Sequence, residues 1–140
     1  MIYFILPKGK EMKKLVLSLS VLAVLGLQAT DINTNMQTMR DGLLEIQDGF
    51  LYNNKDAVVA GIKKIEKANE IFHSKEAVEK YLPKEKKKMA GVTLLSAKRL
   101  NSDLEAMNAY ISDNKMLEAA EIHSDVMKDC TRCHAIVRGW

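Results

Sequence analysis

Thr93, Ala97, Leu100, Leu104, Met107 and Ile111 recur at alternating steps of four and three along one stretch of the chain. At 3.6 residues per turn these positions fall on a narrow stripe of a single helix, and such a stripe is buried by packing against other helices. The remaining apolar residues repeat the pattern. Met36, Met39, Leu43, Ile46 and Phe50 mark a first helix from Ile32 to Tyr52, ended by Asn53-Asn54. Val58, Ile62, Ile65, Ala68 or Asn69, and Phe72 mark a second helix from Lys55, broken at His73-Ser74. Ser74 is placed to cap a short helix through Tyr81, and Pro83 suits the first turn of the helix that carries the seam. After Ser112-Asp113-Asn114, a last helix runs through Met116, Ala119, Ala120, Ile122, Val126 and Cys130. Four long helices with short connections predict an all-α, antiparallel up-down-up-down four-helix bundle.

The last helix carries Cys130-Thr131-Arg132-Cys133-His134. C-x-x-C-H is the attachment signature of a c-type haem: each thiol adds across one vinyl group, and the following histidine becomes an axial ligand to iron. Three other uses of a C-x-x-C pair compete. A structural zinc site needs about four ligands, and only His73 and His123 remain as ready donors, neither at paired spacing. A thioredoxin-like pair belongs to an alternating strand–helix chain, which this is not. A disulfide closing so short a loop constrains the unfolded chain little.

The N-terminal residues agree with the haem reading. Lys13 and Lys14 precede an uncharged apolar run from Leu15 to Leu27, and Leu27-Gln28-Ala29 ends in a small residue. Met12 to Ala29 thus reads as a cleaved export signal, with Met1 to Glu11 as an extension before it and Met12 an alternative start. The apolar run is shorter than the roughly 20 residues of a membrane span, and an uncleaved membrane anchor is the alternative reading of it. Residues 1–29 form the leader and residues 30–140 a single domain with one core. The whole chain carries 21 basic and 18 acidic residues; four lysines and one glutamate belong to the leader, so the mature part has 17 of each. That neutrality removes the electrostatic basis for a nucleic-acid partner. It leaves monomer and homodimer both open.

Topology locates the sixth iron ligand. His134 is six residues from the C-terminus and Met36 six from Thr30, so both lie near the same end of the bundle. Met36 is the candidate sixth ligand, and Met39, one turn along, is the alternative. A core methionine with no role at the iron is the third reading. Met127 shares a helix with His134 and cannot reach the opposite haem face. His123 reads as a polar-pocket or surface group, and His73, beside the second helix's break, as a cap or surface group. Lys84, Lys86, Lys87 and Lys88 form the densest basic patch, either a solvated helix face or a docking patch for an acidic redox partner.

Taken together, the order of helices and the haem motif close to the C-terminus resemble the cytochrome c′ family, the class II c-type cytochromes. Arg138, four residues after His134, matches a basic residue of that family, whereas Val137 departs from the aromatic residue common there. Asn35-Met36-Gln37-Thr38-Met39-Arg40-Asp41 and Lys55-Asp56-Ala57 are similar to the soluble b-type cytochrome of the same bundle, whose early methionine binds iron. The resemblance implies one covalent haem c held by Cys130 and Cys133, with His134 and Met36 on the iron. Arg138 is placed either to pair with a propionate or to stay solvated and interact with the helix dipole. The implied protein is a periplasmic electron carrier acting on redox partner proteins, with no chemistry on a substrate. The family's other branch leaves the sixth position open and binds nitric oxide or carbon monoxide; that is the alternative expectation.

Overall fold

The computed structural model describes residues 32–139. They are all-α, with five α-helices and two 3-10 segments and no strand among the described residues. Helix α1 spans Ile32–Leu51, α2 Lys55–Asn69, α3 Lys75–Glu79, α4 Ala90–Ser112 and α5 Met116–Val137. The export signal expected over Met12–Ala29 lies outside the described residues, as does the mature start at Thr30. No helix among the described residues is long and apolar enough to cross a membrane.

Local chemistry sets most boundaries. Asn53 and Asn114 take positive φ angles of 53° and 60° in the turns after α1 and α4, a conformation asparagine tolerates better than most residues. Asn54 caps α2 by accepting from the Ala57 N–H at 3.1 Å, and Ser74 caps α3 by accepting from Ala77 at 3.1 Å. Several boundaries differ from the sequence reading: α1 ends at Leu51 and α3 at Glu79, short of Tyr52 and Tyr81. The second helix leaves α geometry at Asn69 and finishes as a 3-10 turn, Glu70–Phe72. Pro83 is extended rather than helical and precedes a 3-10 segment, Lys84–Met89, so α4 begins only at Ala90.

Helices α1 and α2 approach closely. The fully buried positions of α1 are Asn35, Met39, Gly42, Ile46 and Gly49, whereas Met36, Leu43 and Phe50 flank the core. The expected stripe is therefore rotated towards the small residues, because glycines at the contact let two backbones meet. A Cβ on Gly42 would stand 2.7 Å from Ile65 Cγ1 and 2.8 Å from the Gly61 carbonyl oxygen. One on Gly61 would stand 2.5 Å from the Gly42 carbonyl oxygen. Further along α1, Gly49 meets Val58 and Asn54, so the two helices run in opposite directions. Gly61→Ala is expected to lower stability by about 2 kcal/mol in chemical denaturation, because the new methyl meets backbone that cannot move aside. The helix-propensity gain of roughly 1 kcal/mol offsets only part of that. An unchanged midpoint would mean the helices separate freely.

The main core joins α1 and α2 to α4 and α5. Ile46, Val58, Ile62, Ile65, Leu104, Met107 and Val126 are essentially sealed from solvent within it. Asn69, also buried, donates to the Ala97 carbonyl oxygen at 2.8 Å and to Asn101 Oδ1 at 2.7 Å, tying α2 to α4. Lys55 Nζ donates to Asn114 Oδ1 at 2.7 Å, which joins the α1–α2 turn to the α4–α5 turn. The start of α1 and the end of α5 lie away from those turns, at the other end. There a second cluster of Val78, Leu82 and Ala90, with Phe72, Leu94 and Val137 against it, packs α3 and the 3-10 segments onto α4 and α5.

Candidate functional site

At that end the helices leave a cavity of about 390 Å³, within the range of small-molecule and cofactor sites. Cys130, Cys133 and His134 line it from α5, Met36, Met39 and Leu43 from α1, and Phe72 and Leu100 from the second helical segment and α4. Cys130, Cys133 and His134 share a helical face because steps of three and four bring residues to one side. The upper part of the α4 seam, Thr93, Ala97 and Leu100, faces this space too. Ser96 joins it, and the spacing rule gave no sign of that. Small side chains here leave room that leucines would fill. The Thr93 and Ser96 hydroxyls donate to backbone carbonyls four residues back, Met89 at 3.1 Å and Val92 at 3.3 Å, so this part of the wall presents little unsatisfied polarity.

The two thiols are half-buried and unbridged. Burial pushes the Cys130 thiol up to about 11, reinforced by the nearby Cys133 and Asp129 groups, and burial raises Cys133 as well. A redox-active C-x-x-C pair needs the reverse, a thiol whose ionisation is made easier. His73 and His123 are absent from the cavity wall, and among the described residues no three His, Cys, Asp or Glu side chains gather to hold a metal ion. His123 packs against Phe50 with ring centroids 6.1 Å apart. Burial pushes its pKa down.

His134 is half-buried, and burial, then the charge of Arg138, lower its pKa. Both effects favour the neutral imidazole, the form that ligates metals. Met36 lines the main cavity and also a cleft of about 60 Å³ beside it, and His134 lines both as well. Met39 is buried in the core and lines only the larger space. Met127 reaches the cavity from the His134 side, on the same helix. Arg138 and Arg40 are exposed residues on the lining, Arg40 also lying 3.4 Å from Asp41. A haem fits this donor set: paired thiols, a neutral imidazole, a thioether from another helix, an apolar floor and two guanidinium groups for propionates.

Asp129 is a residue the pattern did not single out. It is 4% exposed, lines the cavity beside Cys130, and pairs through Oδ1 with Arg132, while its Oδ2 has no hydrogen-bond partner. The Asp103 carboxyl beside it is raised by burial first, and then by its close neighbours Asp129 and Asp125. Nothing in the spacing announces this, since an aspartate before a C-x-x-C-H motif reads as a solvated helix position.

Comparison with protein-family models, curated proteins and solved structures gave no match to this chain.

Proposed function

We propose that this protein is an exported, periplasmic monohaem c-type cytochrome that carries single electrons between redox partner proteins. Its fold on this reading is an up-down-up-down four-helix bundle of the cytochrome c′ type, in the methionine-ligated branch. The observation that carries the proposal is one cavity lined by Cys130, Cys133, His134 and Met36 together. The short turns after α1 and α4, and a core shared by the four long helices, support the bundle topology.

In this reading Cys130 and Cys133 hold the haem through thioethers, and His134 and Met36 hold the iron. The bound haem supplies one-electron exchange between ferric and ferrous iron. The chain's own work is to keep the cavity apolar, to present His134 neutral and to balance charge at the rim with Arg40 and Arg138. Burial of that kind and the choice of a thioether both act on the reduction potential. Met36 is favoured over Met39 because it lines both spaces that His134 lines.

A visible spectrum of protein purified from the periplasm tests the proposal. The expected result is a sharp low-spin reduced spectrum, with a weak far-red sulfur–iron band in the oxidised protein. A broad high-spin spectrum with rapid carbon monoxide uptake would replace the carrier with a five-coordinate gas binder. Absence of haem absorption would remove the haem altogether.

A further inference from the structure

The 3-10 segment Lys84–Met89 packs against both α4 and α5, at the end where α5 carries His134. The inner side of the same region is apolar: Val78, Tyr81 and Leu82 line the small cleft that Cys133 and His134 also line. Its outer side is cationic. Lys80, Lys84, Lys87 and Lys88 are exposed, with Glu85 the single acidic residue between Lys80 and Lys88. None of the ion pairs among the described residues involves these lysines. Local folding gives no reason for them, since cations before the first turn of α4 oppose its dipole. Val92 and Leu95, about one turn apart in the first turns of α4 directly after the 3-10 segment that holds Lys88, are 46% and 49% exposed. An apolar pair rimmed by charge is the pattern of a recognition surface.

We propose that Lys84, Lys87, Lys88, Val92 and Leu95 form the docking surface for an acidic redox protein. The inference rests on the electron-carrier reading above and names its partner class. The residues that precede the mature start aside, the chain has equal numbers of acidic and basic residues, so this patch is a local excess of positive charge rather than a reflection of the whole. A partner of opposite charge is steered to it, and a small contact suffices for a complex that must dissociate after each transfer. One electron passes in the encounter: the donor is oxidised by one electron and the ferric iron reduced by one.

The test uses haem-loaded protein and a reduced plant-type ferredoxin as the acidic one-electron donor, mixed in stopped flow at low and high ionic strength. The wild type is expected to react about tenfold faster at low ionic strength, the lower end of what steering supplies. Lys87→Glu with Lys88→Glu should lower the low-salt rate about tenfold and flatten the salt dependence. Lys63→Glu with Lys67→Glu on α2 makes the same change in net charge and should leave the rate within about twofold of wild type. Visible spectra and reduction potentials of all three must agree, which separates docking from the haem site. Leu95→Ser should slow transfer at both ionic strengths, and an unchanged rate would take α4 out of the surface. Equal losses in the two double variants, or a wild-type rate indifferent to salt, would overturn the docking surface while leaving the carrier intact. Wild-type protein without covalent haem would overturn the carrier reading first, and is seen before any mixing.

Discussion

Protein carrying Cys130→Ala and Cys133→Ala is expected to surrender all its haem to acidified organic solvent, whereas the wild type keeps its haem through denaturation. These are the chain's two cysteines, so no other thiol is present to form a thioether. Both line the same cavity from adjacent turns of α5, where burial raises the pKa of each thiol. The stability cost should be modest, since each side chain is small and half-buried. Circular dichroism of the variant should therefore keep the wild-type helical signal, which separates lost attachment from unfolding. Haem remaining on the denatured double variant would sink the motif assignment.

Met36→Ala and Met39→Ala should produce crossed effects. Met36 is half-buried and lines both spaces around His134, so its loss should turn the ferric protein high-spin and abolish the far-red sulfur band. The ferrous form should then take up carbon monoxide rapidly. The reduction potential should fall too, because a thioether favours the ferrous state. Its cost in stability should be about 1–2 kcal/mol, below the range for a wholly buried methionine. Met39 is buried in the core, and Met39→Ala should cost about 2–5 kcal/mol while leaving the spectrum unchanged. Spectral change in Met39→Ala alone would move the ligand one turn along α1. Spectra unchanged in both, with fast gas binding in the wild type, would decide for an open sixth position.

The sites of greatest interest divide by how far they depend on chain neighbours. Period and capping fixed the helices: the α4 seam, the Asn54 and Ser74 caps and the asparagine turns are local events, set by residues three or four apart. The C-x-x-C-H triplet was legible for the same reason, because one helical turn places Cys130, Cys133 and His134 on a shared face. The α1 stripe keeps Met39 and Ile46 but is rotated for a reason that is not local. Apolar size pointed to Leu43 and Phe50, but the interface with α2 is governed by how near Gly42 and Gly61 let two backbones come.

What the sequence by itself determined was an all-α chain, its breaks, and which thiols and imidazole stand together on its last helix. Tertiary structure decided that the upper α4 seam opens onto a cavity instead of closing the core, because Thr93, Ser96 and Ala97 are too small to fill it. It also brought Met36 to the space where His134 lies, a meeting across almost a hundred residues that no local period encodes. Asp129 is buried where Arg132 pairs with it and Asp103 of α4 stands beside it, neighbours that only folding assembles. Such contacts arise from how helices pack, and packing depends on volumes and charges that meet only once the chain has folded.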